Sequence, residues 1–315
     1  MNNKLEQLRK FSDVVADTGD IEAIRRFAPL DATTNPSLLL KAAALPDYQA
    51  LVKHHASGVS ASSRKFELRK VINRFAVDIG SEIANIVPGR VSTEIDAHLS
   101  FDTERTIEQA HEIMSLYADK GIGADKVLIK IASTWEGIAA ARQLEKEGIH
   151  CNLTLLFGFA QARACADAGA TLISPFVGRI YDWYKAQGEA QKNAHEDRGV
   201  QSVNRIFNYY KKHNYKTVVM GASFRNTGQI EALAGCDRLT ISPALLEELS
   251  LNTGVVYQNL FSNRAKSADK KVAIGEQNFR FELNDDAMAT EKLAEGIRLF
   301  AADQRKLQQL LVGMA

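Results

Sequence analysis

Residues 126–176 read KVLIKIASTWEGIAAARQLEKEGIHCNLTLLFGFAQARACADAGATLISPF and alternate three apolar runs with two helical patterns. The apolar runs, rich in β-branched residues, are KVLIKIA (126–132), CNLTLL (151–156) and TLISPF (171–176). The segments between them, 134–147 and 160–168, are each followed by a glycine, as helices commonly are. Strands that alternate with helices are typical of parallel βαβ units.

The same alternation continues toward both ends of the chain. A third helical pattern spans 103–120, and five further strands are predicted at VVAD (14–17), ATTN (32–35), VSTEI (91–95), TVVMGAS (217–223) and RLTIS (238–242). Eight strands in 315 residues fit an α/β fold of the (β/α)8-barrel type, which commonly runs to about 250 residues and beyond. A doubly wound open sheet is the alternative.

Two regions exceed what a minimal barrel needs. Between the second and third strands, 46–57 and 62–86 predict extra helices. After the eighth strand, a stretch rich in glycine, asparagine and charge (252–285) precedes a long helical pattern at 287–311. No repeat or interdomain linker is visible. We therefore expect one domain, 1–315, with a C-terminal helical extension at about 252–315.

Composition excludes several classes of partner. The 39 Lys and Arg residues nearly balance the 38 Asp and Glu residues, so neither nucleic acid nor an anionic membrane is expected to bind. The amino terminus is polar, and no run approaches the roughly 18 apolar residues of a membrane span. Three widely spaced cysteines suggest reduced cytoplasmic thiols, and the seven histidines show no metal-ligand spacing. We expect a cytoplasmic protein that binds small molecules and no metal.

Lys130 stands in the middle of the apolar run KVLIKIA. Lysine is almost never fully buried without a partner. Burial disfavours the ammonium form, and a lysine held partly neutral is the nucleophile that carbonyl chemistry requires. Alternatively, Lys130 lies on the outer face or at a strand end and extends its amine to water.

Polar residues cluster at the carboxyl ends of the other predicted strands. In a (β/α)8 barrel these ends form the mouth where catalysis occurs. Each residue also has a structural explanation, since Asp17 can cap the following helix and Asn35 precedes Pro36 as turn residues do. Together they indicate a site formed by Asp17, Asn35, Glu94, Asn152, Thr154, Ser174 and Ser223.

Two arginines follow late strands closely, Arg179 in SPFVGR and Arg225 in GASFRN. Guanidinium groups bind phosphate in bidentate fashion, and barrel phosphate sites often use loops after late strands. The pair therefore suggests a phosphate clamp. The alternative is two solvated surface arginines.

Long stretches of the chain resemble the transaldolase family, from about residue 4 to residue 311, and most closely its longer bacterial and eukaryotic members. The matching strings include VVADTGD (14–20), DATTNPSL (31–38), VPGRVSTEIDA (87–97), VLIKIASTWEG (127–137), ISPFVGRIYDWY (173–184) and VVMGASFRN (218–226). The resemblance implies a TIM barrel, a homodimer, and an enzyme that needs no metal or organic cofactor.

The resemblance also implies individual roles. Lys130 would form a Schiff base, Asp17 would be the acid/base at the carbon–carbon bond, and Glu94 would act through a water held by Thr154. The hydroxyls of a dihydroxyacetone unit would contact Asn35, Asn152 and Ser174, and a sugar phosphate would contact Arg179, Ser223 and Arg225. Phe176 stands where aldolase-type relatives usually carry tyrosine, which favours transfer.

The implied reaction transfers dihydroxyacetone from sedoheptulose 7-phosphate to glyceraldehyde 3-phosphate, giving erythrose 4-phosphate and fructose 6-phosphate. Two alternatives stay open. One is a Schiff-base fructose 6-phosphate aldolase that releases free dihydroxyacetone. The other is a non-catalytic barrel that binds sugar phosphates, although Lys130, Asp17 and Glu94 are all present.

Overall fold

Eight parallel strands close into a barrel in the computed structural model, which describes residues 2–58, 65–189 and 193–313. Each strand pairs with the next along the chain, and β1 pairs with β8 with Val15 opposite Thr240. This pairing closes the sheet, so the predicted barrel is confirmed and the open sheet is excluded. The strands are β1 Asp13–Asp17, β2 Asp31–Thr33, β3 Val91–Glu94, β4 Val127–Ala132, β5 Cys151–Leu156, β6 Leu172–Pro175, β7 Val218–Gly221 and β8 Arg238–Ile241.

All eight strands lie where the sequence predicts them, although several end earlier. β2 stops at Thr33, because Asn35 already caps the next helix and accepts a hydrogen bond from the Leu38 amide at 3.0 Å. β7 stops at Gly221, and Ser223 beyond it has φ +61°, a left-handed conformation that ends regular pairing. The polar residues of these two runs therefore lie in the loops at the barrel mouth.

Helices surround the barrel. Within the described ranges they are α1 Lys4–Leu8, α2 Ile21–Phe27, α3 Pro36–Ala42, α4 Gln49–Ala56, α5 Lys65–Ile86, α6 Thr103–Asp119, α7 Trp135–Lys146, α8 Phe159–Asp167, α9 Gly178–Ala186, α10 Arg198–Lys212, α11 Thr227–Ala232, α12 Pro243–Leu251, α13 Glu276–Asp285 and α14 Ala287–Gly313. None of these helices combines the length and the apolarity that a membrane crossing requires.

Local sequence explains the helix ends around β4, β5 and β6. The Thr134 hydroxyl caps α7 by accepting a hydrogen bond from the Gly137 amide at 2.9 Å. Gly148 and Gly169, which follow α7 and α8, have φ of +81° and +76°, conformations that side chains other than glycine rarely adopt. The chain therefore turns sharply into β5 and β6.

The extra helices are present as predicted. α4 and α5 fill the gap before β3, and the first residues of the predicted 62–86 helix lie outside the described residues. α14 matches the predicted C-terminal helix, while the stretch 252–285 contains only the short 3₁₀ helix Ser262–Arg264 and α13. The structure also contains α9 and α10, which lie between β6 and β7 and were not predicted from the sequence.

The barrel interior changes from apolar to polar along the strands. Side chains two residues apart on a strand point to the same face, so each inward position is followed by another nearer the mouth. The lower layer is the buried cluster of Val15, Leu128, Leu172 and Met220. The positions two residues further along the chain are Asp17, Lys130, Ser174 and Ala222. The apolar layer therefore closes the bottom of the barrel, and three of these four positions above it are polar.

α14 packs across the mouth of the barrel. It contacts α3, α4 and α9, and Ser37 on α3 donates a hydrogen bond to Asp303 at 2.5 Å. A Cβ atom on Gly296 would lie 2.7 Å from a Leu155 methyl group and 3.3 Å from Arg179 Nη1. A larger residue would require the ends of the Leu155 and Arg179 side chains to shift. The close approach brings Phe300 over the strand ends.

Candidate active site

A cavity opens at the carboxyl ends of the strands. The cavity is lined by Asp17, Thr33, Asn35, Lys130, Thr154, Ser174, Phe176, Arg179, Ala222, Ser223, Thr240 and Phe300. The structure therefore gathers most of the predicted site residues around one space. Glu94, Asn152 and Arg225 lie just behind its wall, each in contact with a lining residue.

Lys130 points into the barrel and not toward the outer surface. Its Nζ donates a hydrogen bond to the Thr34 carbonyl oxygen at 3.0 Å and lies 3.1 Å from Glu94 Oε2. Both side chains of this ion pair are only 5% exposed. The alternative position of Lys130, on the outer face or at a strand end, is therefore excluded. Its amine lies at the cavity.

Glu94 is opposite Lys130 because β3 and β4 pair with these two residues in register. Burial raises the pKa of the Glu94 carboxyl, while the charges of Lys130 and Arg179 act in the opposite direction. A carboxyl group with a raised pKa exchanges protons more readily near neutral pH. Glu94 is therefore placed to accept a proton from the Lys130 ammonium and to return it.

Asp17 ends β1 at the edge of the cavity. The Thr33 hydroxyl donates to Asp17 Oδ1 at 2.8 Å and lies 3.0 Å from the Thr240 hydroxyl. α2 is capped instead by Asp20, which accepts a hydrogen bond from the Ala23 amide at 3.2 Å. The capping explanation for Asp17 is therefore wrong.

Two amide side chains approach the cavity from different elements. Asn152, fully buried on β5, donates to Ser92 at 3.1 Å and accepts from the Ser174 hydroxyl at 2.6 Å. Asn35 uses its carbonyl oxygen to cap α3, so its amide nitrogen is the part that can contact a ligand. A polyhydroxylated molecule would meet the amide of Asn35 and the hydroxyl of Ser174 here, with Asn152 directly behind the hydroxyl.

Two buried polar atoms on the cavity wall have no hydrogen-bond partner among the described residues, namely Thr154 Oγ1 and Arg179 Nη1. Buried polar groups are nearly always paired, so each one calls for a water molecule or a ligand atom. The Arg179 guanidinium also lies 5.0 Å from the Phe176 ring centre and 5.3 Å from that of Phe300. These two rings fix its position without using its hydrogen-bond donors.

The two candidate phosphate ligands, Arg179 and Arg225, come together because the start of α9 contacts the loop after β7. The Gly178 amide donates to the Ser223 carbonyl oxygen at 2.7 Å, and a Cβ atom on Gly178 would lie 2.2 Å from that oxygen. Burial lowers the pKa of the Arg179 guanidinium, and the nearby Arg225 charge lowers it further. An anion is the ligand that would relieve this repulsion. The alternative of two independent surface arginines is excluded for Arg179, whereas Arg225 is exposed and paired with Asp182.

Sequence reasoning missed four lining residues: Thr33, Ala222, Thr240 and Phe300. Thr33 and Thr240 follow the same rule that identified the others, because both are polar residues near strand carboxyl ends. Phe300 carries no such signal. It reaches the cavity only through the packing of α14 over the mouth.

Comparisons with known proteins show the family of this chain. Residues 14–311 match the family model described as transaldolase/fructose-6-phosphate aldolase. The chain is 60% identical over its full length to a protein named transaldolase from Cellvibrio japonicus, of which it covers 100%. It is 59% and 58% identical to proteins of the same name from Pseudoalteromonas atlantica and Aeromonas salmonicida, with 99% of each chain covered. The chain therefore belongs to the transaldolase/fructose-6-phosphate aldolase family.

Proposed function

We propose that this chain is a transaldolase that carries a dihydroxyacetone unit on Lys130 from sedoheptulose 7-phosphate to glyceraldehyde 3-phosphate. The products are erythrose 4-phosphate and fructose 6-phosphate. The observation that carries the proposal is the buried Lys130–Glu94 pair, whose lysine lines the cavity and whose carboxylate lies just behind the wall. It supplies an amine nucleophile and a proton acceptor within 3.1 Å of each other.

Imine formation begins when Glu94 takes a proton from the Lys130 ammonium. The neutral amine attacks the C2 carbonyl of the ketose and gives a carbinolamine, which then loses water to form a protonated imine. The unpaired Thr154 hydroxyl supports a water molecule at this position that relays the proton between Glu94 and the leaving oxygen.

Bond cleavage uses the carboxylate of Asp17. Asp17 takes the proton of the C4 hydroxyl, the C3–C4 bond breaks, and its electrons move into the imine to give an enamine. The aldose leaves, and the enamine stays attached to Lys130. The amides of Asn35 and Asn152, together with Ser174, hold its hydroxyls until an acceptor aldehyde arrives and the steps reverse.

The phosphate of the substrate is assigned to Arg179, Ser223 and Arg225. Arg179 Nη1 is buried and unpaired among the described residues, and the Ser223 hydroxyl lies 3.4 Å from Arg225 Nη1. Arg179 lies in the first turn of α9, after β6, and Ser223 and Arg225 lie in the loop after β7, a region where barrels commonly bind phosphate. The clamp fixes the far end of the sugar while Lys130 and Asp17 act on its carbon chain.

The family also contains fructose 6-phosphate aldolases, so a release of free dihydroxyacetone is the second candidate function. Phe176 favours transfer. Its ring packs edge to face against Phe157 with centres 5.3 Å apart, and it lacks the hydroxyl that the aldolase-type tyrosine would bring to the cavity.

Product analysis separates the two activities. With sedoheptulose 7-phosphate and glyceraldehyde 3-phosphate, we expect erythrose 4-phosphate and fructose 6-phosphate in equal amounts, because every donor cleaved must transfer its fragment. With fructose 6-phosphate alone, we expect at most one equivalent of glyceraldehyde 3-phosphate per enzyme and little free dihydroxyacetone, because the three-carbon fragment stays on Lys130. Sustained release of dihydroxyacetone without an acceptor would identify an aldolase, and no reaction in either assay would support a non-catalytic barrel.

We also propose that residues 1–315 act as one domain, that the chain forms a homodimer, and that it works in the cytoplasm. The packing of α14 over the mouth supports the first point, and the family resemblance supports the second. Three buried free cysteines are consistent with the reducing conditions of the cytoplasm.

A further inference from the structure

Arg225 is exposed, yet one side of its guanidinium is held firmly. Its Nε lies 3.0 Å and its Nη2 2.7 Å from Asp182 Oδ2, and Nε is 3.3 Å from Oδ1. Asp182 therefore engages the side of the guanidinium formed by Nε and Nη2. The other end of the group, which carries Nη1, is not used by this pair.

The free end of the guanidinium faces the cavity wall. Arg225 Nη1 lies 3.4 Å from both the hydroxyl and the carbonyl oxygen of Ser223, and Ser223 lines the cavity. On its other side stands Gly178, where an added Cβ atom would lie 3.0 Å from Nη1. The orientation that Asp182 imposes thus directs Nη1 toward Ser223 and toward the start of α9, which carries Arg179.

The main chain of Arg225 is already fixed by other groups. Its amide donates to Gln229 Oε1 at 2.8 Å, and the Gln229 amide donates to Asp197 Oδ2 at 2.6 Å. Gln229 and Asp197 are both buried. These contacts do not fix the direction of the long Arg225 side chain. Asp182 makes the closest contacts to its charged end.

Asp182 and Arg179 lie three residues apart on α9, so one helix carries an arginine of the clamp and the carboxylate that contacts the other arginine. We propose that Asp182 is a positioning residue for phosphate recognition. It holds Arg225 by the Nε and Nη2 side, offsets the repulsion between the two guanidinium groups, and leaves the Nη1 end available to the substrate phosphate. This inference rests on the proposed function, in which the clamp binds a sugar phosphate.

The test compares acceptors at saturating sedoheptulose 7-phosphate, whose cleavage releases erythrose 4-phosphate with either acceptor. For Asp182→Ala we expect kcat/KM for glyceraldehyde 3-phosphate to fall about 5- to 30-fold, mainly through KM, because a charged contact to phosphate loses its orientation. For unphosphorylated glyceraldehyde we expect a change of less than about 2-fold. Asp182→Asn should recover part of the loss, since its amide oxygen still accepts from Nε or Nη2. Arg225→Ala should lose more than either variant.

Asp269→Ala is the matched control, because Asp269 binds Arg205 with a similar bidentate geometry, at 3.0 and 2.7 Å, and neither residue lines the cavity. It should leave both acceptors unchanged. A lower KM of Asp182→Ala for glyceraldehyde 3-phosphate would overturn the inference, since Asp182 would then compete with phosphate. Equal losses for both acceptors would also overturn it, and would assign Asp182 a role in stability.

Binding of inorganic phosphate provides a readout that needs no turnover. Calorimetry should give a Kd for phosphate that is about 5- to 30-fold weaker in Asp182→Ala than in the wild type. An unchanged Kd would contradict the positioning role even if the enzyme transfers dihydroxyacetone as proposed. A weakened Kd in a protein without transfer activity would instead uphold the clamp and refute the proposed reaction.

Discussion

Lys130→Met is expected to lower turnover by at least about 10⁴-fold, because the variant keeps the length and burial of the side chain but has no amine to form the imine. Steady-state kinetics of transfer to glyceraldehyde 3-phosphate measures the effect. Lys126→Met is the matched control. Lys126 immediately precedes β4, and its Nζ donates a hydrogen bond to the Val87 carbonyl oxygen at 2.9 Å. Its replacement should leave turnover near the wild-type value.

The same variant should also change stability in a pH-dependent way. Removal of Lys130 leaves the Glu94 carboxylate buried without its cation, a change that costs about 3–5 kcal/mol when the charge must stay. The pKa of Glu94, already raised by burial above its ordinary value of 4.5, then rises further because the Lys130 charge no longer lowers it. The native variant thus binds a proton more tightly than the unfolded chain.

The sign of the effect follows from linkage. The stability of Lys130→Met should be closest to that of the wild type near pH 4.5–5 and should decline as the pH rises through the raised pKa of Glu94. Thermal unfolding between pH 5 and pH 8 measures this trend. In Lys130→Met with Glu94→Gln the part of the pH dependence that Glu94 contributes should disappear. Full activity of Lys130→Met, or a stability difference independent of pH, would contradict the account of this pair.

Asp17→Asn is expected to slow turnover by roughly 10²–10⁴-fold, the usual contribution of a positioned general base. Imine formation depends on Lys130 and Glu94, so it should largely survive. Borohydride treatment with fructose 6-phosphate should therefore trap the intact six-carbon ketose on Lys130, where the wild type gives a three-carbon fragment. Mass spectrometry of the reduced protein distinguishes the two adducts.

Asp20→Asn supplies the control for Asp17. Asp20 is the residue that caps α2, and asparagine caps helices about as well as aspartate. This variant should keep near-normal turnover and trap the three-carbon unit. If Asp17→Asn behaves like Asp20→Asn, the base at the carbon–carbon bond must be sought elsewhere on the cavity wall.

The sequence was sufficient to place the eight strands because each is a short β-branched run bounded by helix signals. It also located most of the cavity wall, since the carboxyl ends of parallel strands in a barrel converge on one mouth. The residues at which the strands end were predicted less accurately. Asn35 belongs to a predicted strand but caps α3, because Pro36 starts a helix and an asparagine before it can satisfy the free amides.

Contacts between distant parts of the chain could not be predicted in this way. Phe300 faces the cavity because α14 approaches Leu155 closely at Gly296. Neither Gly296 nor Phe300 belongs to a local sequence pattern that indicates the barrel mouth. Asp182 and Arg225 are 43 residues apart, on elements that meet only after the barrel closes. The direction of Lys130 likewise depended on which face of β4 became the interior.

The central claim is that Lys130 carries the dihydroxyacetone unit, and borohydride trapping tests it most directly. The wild-type protein is treated with fructose 6-phosphate and borohydride without an acceptor, and the intact protein and its peptides are analysed by mass spectrometry. We expect one reduced three-carbon unit for each chain, located on the peptide that contains Lys130. An adduct on a different lysine, or no adduct at all, would contradict the mechanism.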